Sequence, residues 1–211
     1  MKPPSRPPRG RAFALVALVA LALPSGLLEA QVGWDGPLMV SPASPGGWGL
    51  YLSDPSPGQG IAVMTTWRRS TGPGTGYRLG LAEGQGDRLT VFGGIDASGM
   101  LLARSTEFPL DMGWVAGGGL SVGEDILVSF PLGFTLGRDF EADGVWFNPN
   151  FGPRVVLDAW FGDDRPDRSL RLGFVVELGI DISFDPGWAV RFAGTLGDRD
   201  AVAIGISFRA F

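Results

Sequence analysis

The sequence contains no histidine and no cysteine, and its only lysine is Lys2. Histidine usually activates a serine or cysteine nucleophile, and lysine supplies much of the remaining covalent chemistry of enzyme sites. Hydrolysis by carboxylates alone would require a pair of acidic residues at a characteristic spacing, and the sequence marks out no such pair. These absences predict a protein that is not an enzyme and that binds no cofactor.

The charge of the chain excludes a second class of function. Its formal net charge is −5 at pH 7, and its arginines form no basic patch. Surfaces that bind nucleic acid need such a patch to neutralise phosphates. We therefore expect no nucleic acid among its partners.

One acidic cluster resembles part of a metal site. Asp139, Glu141 and Asp143 are spaced like the first ligands of a calcium loop, and Gly144 follows them. The twelfth position of such a loop is a bidentate glutamate, but Asn150 occupies it here. The sequence therefore predicts a solvated turn and no metal site.

The N-terminus has the three-part layout of a secretory signal peptide. Basic residues precede an apolar run at 12–23, and the segment after the run ends with Ala30. The run is shorter than the roughly 20 apolar residues that a helix needs to cross a bilayer. We therefore predict that residues 1–30 are a signal peptide and that the mature protein works outside the cytoplasm. Because the chain has no cysteine, the exported fold cannot rely on disulfide bonds.

The remainder of the chain divides into two parts. Residues 31–46 are rich in proline, glycine and serine and follow neither the period of a strand nor that of a helix. They predict an irregular N-terminal segment. In residues 47–211, short alternating runs are separated by turn signals, so this part is predicted to be a single β-barrel domain.

The clearest element is the stretch 170–184, in which every even-numbered position is apolar. The odd-numbered positions are small or charged, apart from one valine. Successive side chains of a strand point to opposite faces, so this stretch predicts a strand with one unbroken apolar face. The apolar residues are Leu170, Leu172, Phe174, Val176, Leu178, Ile180, Ile182 and Phe184.

We predict ten strands of this kind, with eight as the alternative. The later joins are hairpin-sized, as at 123–125, 185–187 and 197–200, and no helical pattern separates the strands. The pairing should therefore be antiparallel throughout, in up-and-down order. Gly93 and Gly94 predict a bulge or kink inside the fourth strand.

The residues on the face opposite the apolar one indicate whether this fold is soluble or lies in a membrane. A soluble barrel or sandwich would turn its apolar faces inward and present long polar side chains to water. Here the opposite face is mostly Gly, Ala, Ser and Thr, which suits a cramped barrel interior. The apolar face then contacts lipid, and we predict an all-β, antiparallel, transmembrane barrel. The alternative is an exported, soluble periplasmic β-barrel or sandwich that binds an apolar ligand.

The signal peptide, the glycine-rich alternating strands and the last strand AVAIGISFRAF, ending in Phe211, resemble the small bacterial outer-membrane β-barrel proteins. The resemblance covers residues 47–211. It implies a location in the cell outer membrane, outer-membrane lipid as a partner, and insertion by the barrel-assembly machinery guided by a terminal aromatic residue. The function that fits it is non-catalytic: a structural or adhesion-type barrel, or a narrow passive pore.

Four charged residues on the predicted inward face are candidates for a lumen charge network: Arg171, Glu177, Asp181 and Arg191. They lie on adjacent strands and point the same way, so they could neutralise one another inside the barrel. Such a network would either fill the lumen as a plug or line a narrow polar path.

Phe184, Trp188 and Phe208 are predicted to lie at the membrane interface, on the rim that carries both chain termini. Phe208 is in phase with the outward positions of the last strand, whereas Phe211 is not. The mixed-charge turns at 163–168 and 198–200 are predicted to be loop tips at the other rim. Their arginines could contact lipopolysaccharide phosphates there.

Overall fold

The alternating runs of the sequence form eleven strands in the computed structural model, which describes residues 32–42, 44, 46–55, 60–69, 74–83, 89–123, 125–162 and 170–209. In these ranges there is no helix, and so none long and apolar enough to cross a membrane. The strands are β1 (Gly47–Asp54), β2 (Ala62–Arg68), β3 (Gly74–Glu83), β4 (Leu89–Leu102), β5 (Asp111–Val122), β6 (Ile126–Gly137), β7 (Phe140–Ala142), β8 (Val145–Phe161), β9 (Leu170–Asp185), β10 (Trp188–Gly197) and β11 (Ala201–Arg209).

Ten of these strands form a closed antiparallel barrel. Strands β1 to β6 pair in chain order, β8 to β11 do the same, and β6 pairs with β8. The ring closes where β1 pairs with β11, from Gly47 opposite Arg209 to Asp54 opposite Val202. The prediction of a ten-stranded barrel is confirmed, and the alternative of eight strands is excluded.

The closed ring has two rims. We call the rim at which β1 begins and β11 ends, at Gly47 and Arg209, the terminal rim, and the other the opposite rim. The β2–β3, β4–β5, β6–β8 and β9–β10 connections lie at the terminal rim, because neighbouring strands run antiparallel. Both ends of the barrel domain therefore share one rim, as an even number of strands requires.

Side chains alternate between the lumen and the outside along each strand, as the two-residue period dictates. On β9 the even positions face outward: Leu170 is 72% exposed and Leu172 is 69% exposed. The odd positions Val175 and Glu177 are buried. The predicted orientation of this strand, with its apolar face outward, is confirmed.

Two local predictions need correction. Gly93 and Gly94 do not form a bulge, since the register of β4 against β3 and β5 continues through both residues. The register shifts at Met100 instead, near the terminal rim. The sequence also did not predict β7, which forms a small hairpin with the start of β8. Its two-residue turn is Asp143 and Gly144, both with positive φ, a conformation that glycine adopts at no steric cost.

Residues 32–42 contain no strand and lie inside the barrel. We call them the lumen segment. Val32, Trp34, Leu38, Met39 and Val40 are all buried there. They belong to the predicted irregular segment, residues 31–46, and nothing in the composition of that segment indicated that it would enter the lumen. The predicted signal peptide, residues 1–30, lies outside the described residues, as does Phe211.

The seam between β1 and β11 generates a prediction about glycine. A Cβ atom at inward-facing Gly205 would clash with the Tyr51 ring and the carbonyl oxygen of Leu50. At outward-facing Gly194 it would lie 3.7 Å from its nearest neighbour, an ordinary contact. We expect Gly205→Ala to lower the free energy of unfolding by about 1–3 kcal/mol through overpacking, and Gly194→Ala to leave it nearly unchanged. Denaturant unfolding in detergent measures both, and equal effects would contradict this packing.

Candidate functional site: a lumen filled by the N-terminal segment

The wall of the lumen is polar where it faces the lumen segment. Inward positions of the strands carry buried charged and hydroxyl side chains beside apolar ones such as Tyr51, Met64 and Phe92, whereas charged residues are rarely buried in an ordinary core. They include Arg78, Asp96, Ser121, Ser129, Thr135, Arg154, Asp158, Glu177, Asp181 and Arg191. In the ring strands, charge on the outward face occurs only at Asp54 and Glu83, both at the opposite rim.

The lumen segment spans the barrel from one rim towards the other. Near the opposite rim, Gly33 lies against the guanidinium of Arg199 in the β10–β11 turn. Towards the terminal rim, the Thr135 hydroxyl donates to the carbonyl of Val40 at 2.9 Å. Pro42 packs beside Gly137 before the chain enters β1. The segment is therefore threaded lengthwise through the lumen.

Wall side chains bind the main chain of the segment. Arg78 donates to the carbonyls of Trp34 at 3.2 Å, Pro37 at 2.8 Å and Leu38. The Glu177 carboxylate accepts hydrogen bonds from the amides of Leu38 at 2.7 Å and Met39 at 2.5 Å. An irregular backbone inside a barrel has polar groups that no strand pairs, and a buried group left unpaired costs about 1–3 kcal/mol. The wall satisfies these groups in place of a strand.

Trp34 anchors the segment to the glycine-rich wall of β4 and β5. Its ring lies on Gly94, Gly117 and Gly119, where any Cβ atom would collide with the indole. The indole nitrogen donates to the Ser129 carbonyl at 3.1 Å, and Arg78 lies 5.5 Å from the ring centroid on a cation–π contact. The glycines of these strands thus form a flat platform for one large side chain.

Asp35 is fully buried and lies between two arginines. Arg154 Nε is 3.6 Å from its carboxylate, and Arg199 forms a second ion pair with it. Arg199 also pairs with Asp158, so the turn side chain joins the segment to β8. Burial lowers the pKa of Arg199, which lies outside the strands, to about 10. Arg199 therefore stays cationic at neutral pH and can balance both carboxylates.

The four predicted lumen charges do not form one network. Asp181 and Arg191 form a bidentate pair at 2.5 Å deep in the lumen. Glu177 pairs with Arg154 at 2.6 Å. Arg171 pairs at 2.6 Å with Asp198, and both of these side chains are more than a third exposed near the opposite rim.

Several important residues of the site were missed by the sequence analysis. Arg78 and Arg154 occupy inward positions of their strands, so the alternation of side chains along β3 and β8 could have identified both as lumen residues. Asp35 carried no signal, because the lumen segment has no periodicity. Arg199 was predicted to be an outward loop tip, and this was wrong: the side chain turns inward to reach Asp35. The turn 163–168 lies outside the described residues.

The predicted interface aromatics lie together at the terminal rim. The rings of Phe184 and Trp188 are 6.0 Å apart, and Trp188 is opposite Phe208 in the register of β10 and β11. A second cluster at the same rim joins Trp67 to Trp48 at 6.3 Å and to Tyr77 at 5.4 Å. Aromatic rings of this kind favour a membrane–water interface.

Little space remains beside the lumen segment. A void of about 30 Å³ is lined by residues including Tyr51, Arg78 and Arg191, which is room for one or two water molecules. Larger clefts of about 490 and 540 Å³ lie at the terminal rim, around Arg68 and around Asp185 respectively. Within the described part of the chain, the lumen is therefore narrow around Arg78 and Arg191 and open towards the terminal rim.

Comparisons with known proteins add little to this description. No protein-family model matches the sequence, and no curated protein matches it. Among solved structures, the chain is similar to the outer membrane protein Omp33 of Acinetobacter baumannii, at 8% sequence identity and a TM-score of 0.30, over 79% of this chain and 99% of that one. This similarity is too low to carry an argument, so function has to be inferred from the protein's own geometry.

The ion pairs of Asp35 generate a prediction about stability. Asp35→Asn removes the charge that Arg154 and Arg199 share, although each arginine keeps a second carboxylate partner. We expect the free energy of unfolding to fall by about 1–3 kcal/mol, since buried polar partners are left unmatched. The matched control is Asp198→Asn, whose partly exposed pair should contribute less than about 1 kcal/mol. Urea unfolding in detergent, followed by tryptophan fluorescence, would contradict the assignment if the control were the more damaging change.

Proposed function

We propose that this protein is a non-catalytic β-barrel of the bacterial outer membrane whose lumen is filled at rest by its own N-terminal segment. The observation that carries the proposal is the outward surface of the ring. It is apolar on all ten strands, and its charged residues are confined to Asp54 and Glu83 at one rim. Lipid is the environment in which such a surface is stable, since a charge at mid-membrane depth costs about 2–4 kcal/mol.

Water is a poor solvent for this surface. Leu50, Leu79, Leu132, Phe174 and Ile204 are each close to half exposed or more, and they lie on strands all around the barrel. The largest apolar patch on a typical soluble monomer is about 300–600 Å². A continuous apolar belt around a barrel exceeds that size and would drive aggregation in water. The same belt is the expected outer surface of a barrel in a bilayer.

The alternative of a soluble barrel that binds an apolar ligand has little support. Such a barrel needs an apolar cavity in its interior, but this lumen is occupied by the lumen segment and by buried ion pairs of the wall. An apolar groove of about 670 Å³ exists, lined by Leu178, Phe192 and Ile204, but these side chains belong to the outward face. The groove is therefore part of the surface that lipid would cover.

The cellular setting follows from the sequence and stays part of the proposal. Residues 1–30 would direct export, and the barrel-assembly machinery would insert the strands. Outer-membrane lipid would surround the belt, with Phe184, Trp188 and Phe208 at the interface of one rim. Contact between lipopolysaccharide and the loop tips at the opposite rim remains a further proposal, which now lacks Arg199 as a donor because its side chain points inward.

The polar wall favours a second candidate function, that of a narrow passive pore. A lumen that served only as a structural core would be stabilised more by aliphatic side chains than by buried ion pairs. The wall here carries Arg68, Arg154 and Arg191 together with their carboxylate partners, and Arg78 beside them. Such a surface remains compatible with water if the lumen segment leaves.

Membrane embedding is tested by labelling, because the chain has no native cysteine. Single variants Phe174→Cys and Leu178→Cys place a thiol on the outward belt, and Glu107→Cys places one on an exposed loop at the terminal rim. In lipid nanodiscs we expect the two belt thiols to react with a lipid-phase probe and to resist a charged maleimide, and the loop thiol to behave in the opposite way. Rapid reaction of the belt thiols with the charged reagent would overturn the proposal, as would extraction of the native protein from membranes by carbonate alone.

A further inference from the structure

The lumen wall is largely neutralised by its own residues. Four arginine–carboxylate pairs join wall or turn residues to one another: Arg68 with Asp96, Arg154 with Glu177, Arg191 with Asp181, and Arg199 with Asp158. None of these four pairs includes a residue of the lumen segment. They would all persist in a lumen from which the segment had moved away.

Arg78 is the exception in this wall. Its guanidinium takes part in none of these four ion pairs, although the side chain is buried, and the carboxylates that act on it electrostatically, Asp96 and Glu177, are paired with Arg68 and Arg154. Its hydrogen bonds run to the carbonyls of Trp34, Pro37 and Leu38, with a long contact to the Met64 sulfur, and its cation–π contact is with Trp34. Without the segment, Arg78 would be a cation in the lumen whose neighbouring carboxylates, Asp96 and Glu177, already pair with other arginines.

The barrel does not need the lumen segment for its closure. The ring is completed by the β1–β11 and β6–β8 pairings, and the segment contributes no strand to it. The segment joins β1 at Gly46 and Gly47, and Gly47 has a φ of 141°, a backbone conformation open to glycine. The lumen segment could therefore move out of the lumen while the hydrogen bonds between the ring strands stay intact.

We propose that the lumen is a passage for small anions, that the lumen segment closes it at rest, and that Arg78 is the residue that determines its selectivity. This proposal rests on the membrane function proposed above. A ten-stranded ring is only slightly wider than the eight-stranded barrels whose interiors are filled by side chains, so the solutes are small inorganic anions of the size of chloride. An unpaired guanidinium in a narrow pore attracts such anions and repels cations.

The segment can be locked to the wall by one engineered disulfide. A Cβ atom at Gly36 would lie 3.7 Å from the Cβ of Ala201 on β11, within the range that a disulfide requires. The full chain has no other cysteine, so Gly36→Cys combined with Ala201→Cys gives a single bond. In planar bilayers we expect the oxidised double variant to show no openings and the same channels to open once reductant is added. The two single variants, which cannot form the bond, serve as controls and should not respond to reductant.

Selectivity is read from the reversal potential in a KCl gradient. The wild-type chain and the reduced double variant should show an anion preference. We expect Arg78→Gln to shift the reversal potential towards zero and to increase the frequency of openings, because the segment loses three hydrogen bonds. Arg78→Lys should restore the preference, since it keeps the charge. The matched control is Arg171→Gln, which removes an arginine that already has Asp198 as its partner and should leave the selectivity unchanged.

The outcomes separate this inference from the proposed function. Nanodisc labelling first establishes whether the belt is embedded in lipid. If it is embedded and the oxidised and reduced forms conduct equally, or neither conducts, the gated passage is wrong and the structural barrel stands. If openings occur but Arg78→Gln keeps the full anion preference, the passage stands and the role of Arg78 is wrong.

Discussion

The structure depends on one constraint, which is the two-residue period of a strand inside a closed ring. Closure pairs the backbone of every strand on both sides, so no edge is left to be satisfied by water or by a partner. It also assigns each side chain to one of two environments, because a residue that does not face the lumen faces outward. The outward set can therefore be almost purely apolar, while the charged side chains of the strands are concentrated on the inside.

The lumen must then be filled and its polar side chains must find partners, and the lumen segment does both. An irregular backbone brings amides and carbonyls that no strand pairs, and Arg78, Glu177 and Arg191 supply the missing partners. The glycines of β4 and β5 make room for Trp34, the bulkiest side chain of the segment. The inward glycines and the inward arginines therefore have complementary roles. The glycines make room for Trp34, the apolar anchor of the segment, and the arginines bind its main chain.

The sequence predicted the strands well because each strand is a local pattern with a period that survives without tertiary information. The number of ring strands, their antiparallel order and the outward face of β9 could all be read from alternation. The lumen segment could be predicted only as irregular, because its position is set by contacts with residues far along the chain, such as Trp34 with Ser129. The partners in the ion pairs could not be predicted from the sequence for the same reason. The phase of Glu177 showed that it points inward, but its choice of Arg154 depends on the register between β8 and β9 and on where the segment lies.

The pattern of charge in the lumen is more informative than its amount. Buried ion pairs are weak contributors to stability when compared with well-packed apolar residues, so a permanently filled lumen has little need of them. Wall charges that neutralise one another suit a surface that is sometimes wet, because the pairs retain their partners when water replaces the segment. Arg78 departs from this arrangement, since its carbonyl partners leave with the segment and the carboxylates near it, Asp96 and Glu177, pair with other arginines. Arg78 becomes accessible to water and ions only in the state without the segment, and that state is the one in which ions could pass.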